Sequence, residues 1–112
     1  TLEESKIAKA MSSQSAWNID SNSGVPGNNQ SLNNSSGFNA FPQGSRGGGG
    51  FFYNWGRNTE FWSTNVSNPD KALIRNISSF NSFLARTDHL KYSGLSVRFV
   101  RDVSITIIND DN

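Results

Sequence analysis

Residues 18–36 are almost all Asn, Ser, Gly, Asp and Pro, with apolar residues such as Val25 and Leu32 only as isolated points. A run of this composition buries too little apolar surface to sustain a helix or strand, so it predicts a long polar surface loop. Loops of that length inside compact domains bind something or move, and both roles stay open. With a sixth of the chain committed in this way, the fold must come from the rest of a 112-residue sequence. That length is one small domain or a piece of one, with only a modest core. Only 34% of the residues are hydrophobic, but eight Phe and three Trp are among them, so the core is expected to be small and aromatic.

The N-terminal end reads as a short amphipathic helix over residues 2–11. Thr1 is its N-cap with Glu4 three residues on, Glu3 and Glu4 lie in the first turn, and Leu2, Ile7, Ala10 and Met11 share a face. Trp17 follows as a core anchor. Residues 37–46 mix Phe38, Ala40 and Phe41 with Pro42 and Gly44, which favours irregular, buried turn structure. Strands are expected at 61–64, at 71–77 and at 95–101, where Leu95, Val97, Phe99 and Arg101 alternate with Ser96, Arg98 and Val100. Asn68-Pro69-Asp70 is a turn between the first two, and an antiparallel strand is the best reading of 78–92. The tail Val103-Ser104-Ile105-Thr106-Ile107-Ile108 is a further strand within a 103–112 extension. An exposed apolar strand is an aggregation template, so this one is expected to pair with the domain's own sheet or with another chain.

Four glycines, 47–50, lead into Phe51-Phe52-Tyr53-Asn54-Trp55-Gly56-Arg57. A phosphate cradle needs a preceding strand and a following helix with a Lys-Ser/Thr step, and neither is present, so the glycines read as a turn presenting aromatics. Rigid ring faces beside an arginine are what a binding surface for sugars or peptides needs. Tyr53, Trp55 and Arg57 therefore form one candidate ligand-binding cluster, and Arg86, Asp88, His89 and Tyr92 a second. Phe51 and Phe52 are the rings first expected in the core. His89 is the only histidine, and Asp88 cannot share its face in a strand, so no catalytic pair is read there. Asp20 with Asn22, or Asp70 with Asn68 and Asn65, could offer oxygen ligands to calcium, but ordinary turn roles fit them better, and no cofactor is expected.

A formal charge of +1 gives no field to gather phosphates, so nucleic acid is a poor partner. No apolar run approaches the roughly 20 residues that a membrane-spanning helix needs. Cysteine is absent, which removes disulfides, thiolate metal sites and cysteine nucleophiles together, and no Gly-x-Ser-x-Gly elbow occurs. The chain begins at Thr1 without methionine, which points to a processed product or an excised fragment.

Three blocks in order, Gly37-Phe38-Asn39-Ala40-Phe41-Pro42-Gln43-Gly44-Ser45-Arg46, Phe61-Trp62-Ser63-Thr64 and Tyr92-Ser93-Gly94-Leu95-Ser96-Val97-Arg98-Phe99-Val100-Arg101-Asp102, resemble the Fibrobacter succinogenes major paralogous domain. The resemblance covers about Lys9 to Asp102. It implies an α+β, C-type-lectin-like fold: short antiparallel strands, one N-terminal helix and long irregular loops. It also implies an exported, cell-surface bacterial domain of the Bacteroidota or Fibrobacter type, in a family where lipid anchoring is typical. Trp17 would match a family tryptophan, and Phe61 and Trp62 would be structural. Arg98 and Arg101 would bond loop carbonyls. Phe99 stands where many members have Cys and would replace a covalent staple with packing.

Neither acidic cluster matches a lectin calcium spacing. The formylglycine-generating enzymes, similar in fold at a distance, use cysteines and a metal, so no enzyme is expected. Similar architecture also carries the variable proteins of diversity-generating retroelements, and Asn54, Asn58, Asn65 and Asn81 would suit that scheme. The family's upstream half has no counterpart here, which suggests a companion chain completing the fold, a minimal version or a piece cut from a precursor. The function implied is non-catalytic binding or adhesion toward a glycan or protein ligand. The alternative is a structural subunit of a surface assembly joined through the C-terminal strand.

Overall fold

The computed structural model describes residues 6–99. They form two small antiparallel sheets with little helix, an α+β arrangement. In chain order the elements are helix α1 (Ile7–Met11), a 3₁₀ turn (Gln30–Leu32), and strands β1 (Ser45–Arg46), β2 (Phe52–Tyr53), β3 (Asn58–Asn68), β4 (Lys71–Ser78) and β5 (Ala85–Leu90). Strands β1 and β2 make a hairpin, and β3, β4 and β5 make a three-stranded sheet in that order. Parallel bridges from Gly44 to Thr59 and from Ser96 to Phe61 tie the hairpin side of the molecule to β3.

The β3–β4 hairpin follows from its turn chemistry. The Asn68 carboxamide oxygen accepts the Asp70 N–H at 2.8 Å, closing the chain around Pro69. Strand β3 is far longer than the 61–64 segment expected, running through Asn68. Its register shifts between Trp62 and Val66, and there the Ser63 hydroxyl stands in for the ladder, donating to the Leu73 carbonyl at 2.9 Å and accepting from Asn65 N–H at 3.2 Å.

On β4, Ala72 and Ile74 are buried toward one side and Ile77 toward the other. Ile77 joins Ala8, Trp17 and Ala40 in the core, with Met11, Phe38, Phe61 and Leu84 packed against it. Phe38 and Phe61 meet edge to face, 5.7 Å between centroids. Trp17 is the expected anchor, its indole N–H donating to the Ser13 hydroxyl at 3.2 Å.

Helix α1 departs from the expectation. It begins at Ile7, with Lys6 as a non-helical cap, so it is not a continuous helix over 2–11; Thr1, Leu2, Glu3 and Glu4 lie outside the described residues. Its buried residues are Ala8 and Lys9, whereas Ile7 is exposed. A single turn gives the core Ala8 and the flank of Met11 and sends a lysine stem inward.

That lysine organises the polar loop. Lys9 is 9% exposed, and its ammonium donates to the carbonyls of Val25 at 3.3 Å and Asn29 at 3.2 Å, to the carbonyl of Asn28, and to the Asn33 side-chain oxygen at 2.8 Å. Asn33 in turn donates to the Ser13 and Pro26 carbonyls at 2.9 and 3.0 Å. The Gln30 amide brackets the backbone of Trp17, accepting its N–H at 3.0 Å and donating to its carbonyl at 2.8 Å. Residues 18–36 are thus partly interior: Val25, Pro26, Gly27 and Asn33 are buried, while Leu32 points outward. Side-chain amides and one ammonium satisfy the backbone groups that strands would otherwise pair.

The expected strand over 95–101 does not form in its described part. Ser96 makes one bridge to Phe61, and 97–99 have no regular structure. Phe99 is 92% exposed, so it does not pack in place of a staple. Alternation alone makes no strand where no neighbouring edge continues beside it. Arg98 does meet its expectation, donating to the Phe38 carbonyl at 2.8 Å with its guanidinium 4.2 Å from the Phe38 ring centroid. Arg101 and the 103–108 segment lie outside the described residues.

Candidate ligand-binding site

The four glycines form the tip of the β1–β2 hairpin. Gly47 N–H donates to Phe51 O and Gly50 N–H to Gly47 O, both at 2.9 Å. Close approach is what requires glycine at the centre of this turn. A Cβ on Gly47 would lie 2.8 Å from the Tyr53 ring, and one on Gly48 would lie 2.5 Å from the Tyr92 ring. The tip thus lets two tyrosine rings lie close against successive glycines. Tyr92 reaches it because Arg46 and Gly94 exchange both backbone bonds, at 2.7 and 2.6 Å, pinning the 92–94 turn beside β1.

Phe51, Phe52, Tyr53, Trp55 and Tyr92 are all exposed, Trp55 at 72% and Phe52 at 78%. The expectation of Phe51 and Phe52 in the core is thereby corrected. The hairpin stands on the surface with both faces open, and strand alternation sends Phe52 opposite to Tyr53. Trp55 sits in a tight turn in which Arg57 N–H donates to Asn54 O at 2.9 Å, and Gly56 is anchored to Pro42 O at 2.8 Å. Arg57 carries its guanidinium over the Phe80 ring, 5.0 Å from the centroid.

The structure divides the second cluster. Tyr92 joins the hairpin, but Arg86 and Asp88 are exposed on β5, which β4 separates from β3. His89 faces the other side of β5 and meets Trp62 edge to face at 6.4 Å. Because β4 lies between their strands, the two rings close over Ala72 and Ile74, which flank them in the register. His89 is thus packed as a cover for the sheet. Of the seven candidate residues, Tyr53, Trp55, Arg57 and Tyr92 stand on or near the hairpin, while Arg86, Asp88 and His89 do not.

Sequence reasoning passed over Arg46. Its Nε donates to the Gly50 carbonyl at 3.2 Å and its guanidinium lies 5.7 Å from the Phe52 centroid. The available signal was the hairpin itself: pairing across the glycine turn makes Arg46 the partner of Phe52.

The acidic turns carry ordinary roles. Asp20 accepts from Asn22 N–H at 2.8 Å, as Asn68 does from Asp70, in Asx turns. Among the described residues there is no cluster of three or more His, Asp or Glu side chains placed to hold a metal, and no helix is long and apolar enough to cross a membrane. Comparison with known proteins finds no matching family model, no similar curated protein and no similar solved structure.

Proposed function

We propose that this chain is a non-catalytic binding or adhesion module, C-type-lectin-like and exported to a bacterial cell surface, that takes a glycan or protein ligand on the aromatic hairpin. The observation that carries the reading is the exposure of Tyr53, Trp55 and Tyr92 on a glycine tip and adjoining turn that hold them in place. Exposed apolar rings grouped on one element, held by backbone bonds, are what a recognition surface offers and what a solvated loop avoids. The placement of rings on a rigid turn also lowers the entropy lost on binding.

Trp55→Ala tests it. With a ligand identified on glycan and peptide arrays, calorimetry should find affinity reduced by about 30-fold, the effect of losing a hot spot of about 2 kcal/mol. Folding should be unchanged, since the ring is exposed. A variant that binds like the parent sinks the assignment of the site.

A second reading, a structural subunit of a surface assembly, draws on β5. That strand is an edge, with no partner on its outer side among the described residues. Unpaired edges invite strand addition from another chain, and the strand that the sequence predicts at 103–108 is the one proposed to make the joint. Deleting residues 103–112 should then abolish the oligomer seen by native mass spectrometry of the protein from its source. A protein that is monomeric before and after the deletion excludes this role.

A further inference from the structure

On the face of the hairpin opposite Tyr53, an open groove of about 330 Å³ runs between β1 and the 94–96 segment. We infer that this groove is a subsite for one acidic sugar residue, a hexuronic acid, held by its carboxylate on Arg46 and by its ring on Phe52. The inference rests on the reading of the hairpin as a ligand-binding element and names the ligand class.

The chemistry of the walls carries the choice. Phe52 and Leu95 supply apolar surface; Gln43, Ser45, Arg46 and Ser96 supply polar groups, and no acidic side chain lines the groove. Gln43 has its amide oxygen committed, accepting from the Ser96 hydroxyl at 3.0 Å, so its NH₂ is the end left to offer. Arg46 is anchored through Nε to Gly50 O with one Nη lying close beside Gly50, and neither Nη has an acceptor among the described residues, so the fork has donors left to offer. The groove therefore presents donors around one fixed positive charge beside an exposed ring. A neutral sugar would use the ring and leave the fork unanswered, whereas a uronate answers both. Its size admits a pyranose ring with substituents, at the lower end for small-ligand sites.

An acidic peptide could reach Arg46 with one carboxylate, but the groove couples that charge to a flat ring wall and hydroxyl-matching groups. The saccharide satisfies all of them together.

The test titrates the whole chain with tri-galacturonic acid, with its fully methyl-esterified form and with an Asp/Glu-rich peptide, followed by calorimetry and amide chemical shifts. The acid should bind with shifts at Arg46, Phe52 and Leu95. Esterification should weaken it about tenfold or more, and so should Arg46→Gln, whereas Arg46→Lys should retain part of the affinity because charge persists while the fork is lost. Amide spectra of each variant verify that the fold is intact. Equal binding of acid and ester, indifference to Arg46→Gln, or preference for the peptide each overturns the inference. If Trp55→Ala still abolishes binding in those cases, the hairpin reading survives without this subsite. If none of the three binds, this subsite is overturned, while the hairpin reading stands or falls on the array ligand and its loss in Trp55→Ala.

Discussion

Lys9→Met is expected to cost about 3 kcal/mol of stability and to release the 18–36 loop. The methionine stem fills the same channel, so the loss isolates the ammonium. Four oxygens, from Val25, Asn28, Asn29 and Asn33, would be left facing an apolar side chain, and each buried acceptor without a donor is penalised. A chain of this length has a total stability of about 5–15 kcal/mol, so the variant should melt roughly 10–20 °C lower. Hydrogen exchange should accelerate first at the amides of Asn33 and Asn34, which are bonded to Gln30 and Lys9 carbonyls. Lys6→Met is the control: that lysine is exposed and should change little. Equal melting of the two variants would remove Lys9 from its organising role.

The same residue gives the domain a pH dependence of definite sign. Burial, with the Lys6 ammonium adding, pushes the Lys9 amine below the usual lysine value of 10.5. Between the lowered value and 10.5 the unfolded chain holds more protons than the folded one. Stability contributed by this group therefore rises with pH across that window. Urea midpoints measured from neutral pH upward should show a rise in the parent, relative to Lys9→Met, that the variant lacks.

What could be read in advance was what depends on neighbours in the chain. The alternation of 71–77 and the Asn68-Pro69-Asp70 turn lead directly to β3 and β4. Trp17 is legible because a large ring beside a polar run has few places to go but the core. The exposure of the hairpin residues Tyr53 and Trp55 is legible because glycine and aromatics adjoin. Lys9 was hidden, because its partners lie 16 to 24 residues away and a helix lysine ordinarily faces water. The stretch from Leu95 to Phe99 has the pattern of a strand but only one bridge, a fact of tertiary neighbourhood that no alternation carries. His89 was misplaced for a similar reason. Its role comes from Trp62 two strands away, and grouping by sequence had set it beside Asp88, on the opposite face.

Gly44→Ala is expected to destabilise the fold by about 3 kcal/mol or more and to remove ligand binding with it. Gly44 is the joint between the irregular 37–46 segment, in which only Ala40, Pro42 and Gly44 are buried, β3 and the hairpin: its N–H donates to Asn58 O at 2.7 Å, and it bridges to Thr59. Two separate demands meet there. Its φ of +68° is in the left-handed region, which disfavours any L side chain by about 1 kcal/mol. In addition, a Cβ would stand 2.0 Å from the Tyr53 carbonyl oxygen and 3.0 Å from Trp55 N, so backbone must move. The two demands can be separated, because Gly37 has a similar φ of +81° with nothing within 4 Å of an added Cβ. Gly37→Ala should lose only the conformational part, about 1 kcal/mol, and keep the hairpin's affinity. The excess of Gly44→Ala over Gly37→Ala measures the close approach of the two strands. Since the backbone displaced is that of Tyr53 to Trp55, the lost packing and the lost binding should appear together. Equal effects of the two substitutions would mean that the hairpin is not held against Gly44, and the rigid presentation of its rings would have to come from elsewhere.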